Sequence, residues 1–69
     1  MNFADKFSEI IKDRGMPQSE VARRIGMPYA TFRYKSNHFS AWKVTEWGKL
    51  VSVLRLTDEE VEFLANDVT

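Results

Sequence analysis

Gly15 with Pro17, and Gly26 with Pro28, divide the first half of the chain before any other rule applies. Glycine ends a helix by taking the left-handed conformation that a Cβ resists, and proline is tolerated in a helix at its first turn, where its missing N–H had no partner. Each pair therefore reads as a stop followed by a start. A chain so punctuated cannot build long helices and has to pack several short ones around a common core. That core is small: 69 residues make one domain, residues 1–69. The absence of cysteine removes disulfides and thiolate metal sites as aids to stability.

Between the breaks the apolar spacing is helical. Phe3, Phe7, Ile10 and Ile11 share one face of a helix over about 3–14, which Asn2 can cap. Val21, Ala22 and Ile25 share a face over about 18–25, and a third helix runs from Pro28 or Tyr29 to about Ser36, before the polar break Asn37-His38. Val44, Trp47, Leu50, Val51 and Leu54 form an apolar stripe over about 43–55. Thr57-Asp58-Glu59-Glu60 has the form of a capping box and opens a fifth helix that buries some of Val61, Leu64, Ala65 and Val68. No strand-type alternation competes, so the expected fold class is all-α, with five helices.

The formal net charge is zero, but the charges are sorted along the chain. Residues 1–56 carry all ten Lys and Arg against five acids, a net +5, whereas residues 57–69 carry the other five acids and no base, a net −5. A basic body with an acidic end suits a domain that meets phosphate with one face and keeps its last helix away from it. No apolar run approaches the roughly 20 residues of a membrane span, and the N-terminus has acids where a secretory signal has a basic start. The expectation is a cytoplasmic protein with no membrane partner. Asp58, Glu59, Glu60 and Glu62 form the densest carboxylate cluster, and their place at a helix start explains them as capping and macrodipole residues. With a lone His38, no phosphate-binding glycine loop and no nucleophile beside a base, the sequence points away from an enzyme and from any cofactor or metal.

The most informative segment is 18–35. Two short helices joined by Gly26-Met27-Pro28 cannot lie antiparallel and must cross steeply, which is helix-turn-helix geometry, with Ala22 small at the close approach and Val21, Ile25, Met27 and Phe32 turned to a shared interior. The stretch QSEVARRIGMPYATFRYK resembles the phage-repressor and Cro-like (XRE-type) family of helix-turn-helix proteins. The resemblance runs from Phe3 to about Leu64 and implies a compact five-helix, lambda-repressor-like DNA-binding domain with the motif on helices two and three. One departure is Lys35 and Ser36, where the family usually has an apolar residue. Either the third helix ends early, or Phe39 and Trp42 fold back to fill the space, and the second account is favoured. The near-zero net charge is a further departure.

If the resemblance holds, the third helix enters the major groove of double-stranded DNA. Counted from Phe32, its outward face carries Ala30, Arg33, Tyr34 and Asn37, flanked by Tyr29 and Thr31. The base-reading set is then Tyr29, Ala30, Thr31, Arg33 and Tyr34, with Arg33 foremost because its planar fork can bond guanine O6 and N7 together. Gln18 and Asn37 match the family's phosphate contacts, and Lys35 and Lys43 join them by charge, as do Lys12, Arg14 and His38 more weakly. Arg23 and Arg24 are expected to pair with Glu20, and Trp42 and Trp47 to belong to the core. The resemblance implies a sequence-specific transcriptional repressor of phage or prophage type, acting as a homodimer on DNA, and Phe63, off the core face of the acidic last helix, is the expected dimer contact. The rival is a protein-binding modulator on the same fold, antirepressor or antitoxin-like, whose partner is another phage regulator; two tyrosines and an arginine also make good protein anchors.

Overall fold

The computed structural model describes residues 2–66, which form α1 (Phe3–Asp13), α2 (Gln18–Arg24), α3 (Tyr29–Ser36), a single 3-10 turn (Phe39–Ala41), α4 (Val44–Leu54) and α5 (Asp58–Ala65). No strand occurs among these residues, and no helix among them is long and apolar enough to cross a membrane. The helices end where local chemistry ends them. Asn2 Oδ1 accepts the Asp5 N–H at 2.9 Å, and Gly15 and Gly26 take φ of 68° and 72° after α1 and α2. Thr57 and Glu60 satisfy each other's N–H groups at 3.1 and 3.0 Å, closing the capping box of α5.

The end of α4 carries no such signal. Arg55 adopts the left-handed conformation at φ 52°, at a cost of roughly 1–2 kcal/mol for a residue with a Cβ. The return is a closed helix end: the Leu56 N–H bonds the Val51 carbonyl at 3.0 Å, and the Leu56 side chain is buried. Arg14 secures the same place from α1, donating from Nε to the Leu54 carbonyl at 2.8 Å and from Nη2 to the Arg55 carbonyl and to Glu60. One guanidinium thus ties the end of α1 to the end of α4 and the start of α5. Arg14, a weak phosphate candidate from its charge, is committed to the fold.

The buried core draws on every helix, with Phe3, Phe7, Ile10 and Ile11 from α1, Val21 and Ala22 from α2, Phe32 from α3, Leu50 and Leu54 from α4 and Leu64 from α5. One expectation needs correction. Val44 does not join the α4 stripe but is 90% exposed. At about 100° per residue it lies some 120° around the axis from Leu50, and the buried face is shifted instead toward Val53, which packs against the core. In α5 only Leu64 is fully buried, Val61 is half-buried and Ala65 is exposed, while Val68 lies outside the described residues.

Arg14 also depresses the Glu60 carboxyl below its ordinary value, first through their hydrogen bond and then aided by the Thr57 N–H. A carboxylate favoured in the folded state stabilises fully above its unfolded pKa, about 4.3, and that contribution is lost as the pH falls through the folded value. Arg14→Ala should therefore lower stability by about 2 kcal/mol at neutral pH and flatten the stability profile below pH about 4.3. Urea unfolding from pH 7 to pH 3 measures both, and an unchanged acid limb would remove Arg14 as the cause.

Candidate functional site

The segment from α2 to α3 is set by its turn. The Gly26 N–H bonds the Arg23 carbonyl at 3.1 Å and the Met27 N–H reaches the Ala22 carbonyl at 2.9 Å, a closure that needs the positive φ at Gly26. Pro28 then sits just before the first residue of α3, and its carbonyl accepts the Phe32 N–H at 2.9 Å.

Phe32 anchors α3 from behind. Its side chain is fully buried, with its ring centroid 5.9 Å from that of Phe7 and 6.0 Å from that of Trp42, while Phe7 and Trp42 are themselves 5.9 Å apart. Phe39 extends the cluster, edge-on to Phe3 and to Trp47. This decides how the chain manages without an apolar residue at Lys35 or Ser36. α3 continues to Ser36, and the rings of Phe39 and Trp42 fold back beneath it. The Ser36 hydroxyl is satisfied inside the helix by the Phe32 carbonyl at 2.8 Å, and Trp42 Nε1 donates to the Lys35 carbonyl at 2.9 Å. Trp42 and Trp47 are half-buried and packed on the core, as their spacing predicts.

On the opposite side of α3, Tyr29, Ala30, Thr31, Arg33 and Tyr34 are all exposed, as is Asn37 just after it. Arg33 Nη1 donates to Gln18 Oε1 at 3.2 Å, so the first residue of α2 and the middle of α3 meet. Asn37 Nδ2 bonds the Arg33 carbonyl at 3.0 Å. These three residues, with Asp5, Ser8 and Ser36, line a cleft of about 230 Å³ on one flank of α1. Tyr34 stacks on His38 with centroids 4.2 Å apart, and His38 Nδ1 lies 2.8 Å from the Tyr34 carbonyl, a contact that requires a proton on that nitrogen. His38 therefore supports a tyrosine of this face.

The basic residues divide into those held by acids and those turned outward. Arg23 and Arg24 both bond Glu20, whose carboxyl is lowered to about 2 by Arg23 and then Arg24. Lys35, a phosphate candidate by its charge, is committed elsewhere. It is turned toward α4, where its ammonium meets the Glu46 carboxylate, and its side chain is only 12% exposed. Glu46 also accepts the Lys43 N–H at 3.0 Å, and these two contacts, Lys35 first, hold its carboxyl below the ordinary range. The Trp42 indole lies under the end of α3, with the Lys35 ammonium 6.0 Å from its ring centre and within reach of Glu46 on α4. Lys43 is exposed at the start of α4, and Lys12 is exposed on α1. No acidic residue occurs between Glu20 and Glu46, so α3 and its turns present no carboxylate of their own.

Comparison with protein-family models, with curated proteins and with solved structures gives no match to this chain.

Trp42→Phe keeps an aromatic ring in the cluster while removing the N–H that closes the Lys35 carbonyl. The expected cost is about 1 kcal/mol in denaturant unfolding, with the helical circular dichroism retained. A cost near zero would mean that water replaces the indole and that the bond does not fix the end of α3.

Proposed function

We propose that this chain is a sequence-specific double-stranded DNA-binding protein, a transcriptional repressor of phage or prophage type that lays α3 in the major groove as the second helix of a helix-turn-helix. The observation that carries the reading is the outward face of α3, where Arg33 is exposed among Tyr29, Ala30, Thr31 and Tyr34, bonded to Gln18 and free of neighbouring carboxylates on its own helix. A helix anchored by buried Phe32 and Ser36, with Tyr29 to Thr31, Arg33 and Tyr34 facing water, suits insertion into a groove about 12 Å wide. In this reading Arg33 reads guanine, Ala30 or the Thr31 methyl meets a thymine methyl, and Gln18, Asn37 and Lys43 position the backbone. The proposal is a binding role and assigns no catalysis and no cofactor.

The protein-modulator reading draws on a different observation: Arg23, Arg24 and Lys35 are neutralised by acids, so the face has fewer cations for phosphate than the sequence alone promises. Duplexes selected from a random pool separate the two. On the selected site Arg33→Ala should cost about 1–3 kcal/mol and relax the preference at one base pair per half-site. Gln18→Glu keeps an acceptor for Arg33 but repels phosphate, so it should weaken all duplexes alike and retain the preference. Lys35→Ala should leave the salt dependence unchanged, because that ammonium is spent on Glu46. Failure of selection to enrich any sequence, with Arg33→Ala abolishing capture of a protein regulator, would transfer the face to the modulator reading.

The proposed repressor binds as a twofold homodimer, and two exposed apolar patches compete for the contact. A twofold contact through Phe63 sets α5 against its own copy, with acids at Asp58, Glu59 and Glu62 beside a Glu60 already paired with Arg14, and no base on α5 to answer them. The patch of exposed Val44 with half-buried Phe39, Trp42 and Trp47 is lined by one charged residue, Lys43, with Lys35 and Glu46 paired to each other beside it, and is the better dimer surface. Val44→Asp should abolish cooperative occupancy of paired half-sites while leaving binding to a single half-site within about a factor of two. Equal loss on both would make Val44 a DNA contact instead.

A further inference from the structure

The second flank of α1 carries a feature that DNA binding does not use. α1 and α5 pack side by side, and between them lies an open groove of about 610 Å³. Its floor is apolar, made by buried Ile10 and by the Phe63 ring, which remains 44% exposed. Its rim is acidic, with Glu9 and Asp13 exposed on α1 and Glu59 exposed on α5. Glu60 also lines it but is neutralised by Arg14, and the one cation of the lining, Lys6, is buried, with its ammonium on the Phe63 carbonyl at 2.8 Å and 4.3 Å from the centre of the Phe63 ring. The Lys6 side chain thus braces Phe63 from beneath, and the three exposed rim carboxylates outnumber the single inward-turned ammonium.

We propose that this groove docks a cationic amphipathic segment of another protein, a helix or extended strand whose apolar side chain settles on Ile10 and Phe63 while flanking lysines or arginines meet Glu9, Asp13 and Glu59. The volume lies within the range of about 300–1,000 Å³ typical of binding pockets, and the groove's open form suits a side chain of a docked segment better than an enclosed small molecule. Charge decides the class of occupant. A second copy placed by a twofold axis would bring carboxylates against carboxylates, whereas a basic segment meets complementary potential and gains from it in encounter rate and register. The location keeps the groove clear of the proposed DNA face. On α1 the mean direction of the groove residues Lys6, Glu9 and Asp13 lies roughly 100° around the axis from that of Asp5 and Ser8, which line the Gln18–Arg33 cleft, the two sets coming nearest at Asp5 and Glu9, about 40° apart. The inference does not rest on the DNA reading.

The test uses the full chain and three synthetic helical peptides: one with leucines at i and i+4 flanked by lysines, its counterpart with glutamates in place of the lysines, and a lysine peptide with the leucines replaced by alanine. The first should bind, measured by fluorescence anisotropy at low salt, and the other two should bind at least tenfold more weakly. Phe63→Ala should reduce that binding at least fivefold, and the triple change Glu9→Gln, Asp13→Asn, Glu59→Gln, confined to exposed side chains, should reduce it similarly and remove its salt dependence. Arg33→Ala should leave it unchanged, which keeps this test separate from the DNA one. Three results would overturn the proposal: equal binding of the alanine–lysine peptide, which would make the site a diffuse acidic surface; no binding of any peptide; or sedimentation showing a dimer that the triple change dissociates, which would make a second copy the occupant.

Discussion

The triangle of Phe7, Phe32 and Trp42 governs what α3 can present to a partner. α3 has eight residues, too few to be stable alone in water, and its outward face is polar or aromatic with nothing to hold it. Its place is fixed by one fully buried phenylalanine whose ring meets one ring from α1 and one from the segment before α4. Three tilted or edge-on contacts near 6 Å specify direction as well as burial, because such pairs favour offset or edge geometry. The indole N–H then fixes the last turn through the Lys35 carbonyl. The orientation of Arg33 and Tyr34 is thus inherited from rings on the far side of their own helix.

A net charge of zero conceals a division of labour among the ionic groups. Arg14 with Glu60 and Lys35 with Glu46 tie elements that are distant in sequence, each acid also accepting a backbone N–H at the start of its helix. These four charges are partly shielded from solvent and shape the fold. Glu20 with Arg23 and Arg24 is a local arrangement on α2, of the exposed kind that contributes little stability. Among the other exposed charges, Arg33 and Lys43 lie toward the α3 side and Glu9, Asp13 and Glu59 along the α1–α5 groove, while Asp5 shares the Arg33 cleft and Lys12 is exposed on α1. The counts of positive and negative side chains alone do not reveal which charges are paired and which face outward.

The helix order was legible in the sequence because its signals are local. A glycine stop, a proline start, Asn2 and the Thr57–Glu60 box act within a few residues, and the structure places all of them as expected. The filling of the space below Lys35 by Phe39 and Trp42 was also legible, since a missing apolar residue demands a substitute from nearby chain. Long-range contacts were not. Arg14 reaches Leu54 forty positions away, and Lys6 reaches Phe63 fifty-seven away, and neither has a neighbour in sequence that announces the partner. Val44 misled because periodicity measures which residues share a face but not where another element stops covering it. At the candidate site, the exposed set on α3 followed from helical geometry, while the turning of Lys35 to Glu46 depended on the position of α4.

α1 connects the two surfaces, and its packing sets how far one can influence the other. Its core face, with Phe3, Phe7, Ile10 and Ile11, is buried, and its two flanks border the Gln18–Arg33 cleft and the acidic groove. A signal between them would have to move α1 as a body or shift the Phe7–Phe32 contact, since no side chain lines both openings. Close-packed rings resist small displacements, and coupling requires an element with two stable arrangements that each ligand biases differently. Here Arg14 at one end of α1 and Lys6 toward the other tie it to the end of α4 and to α5 in one arrangement. Occupants of the two surfaces should therefore bind with additive free energies. Under the two proposals one face would choose the site and the other recruit, with neither altering the affinity of its neighbour.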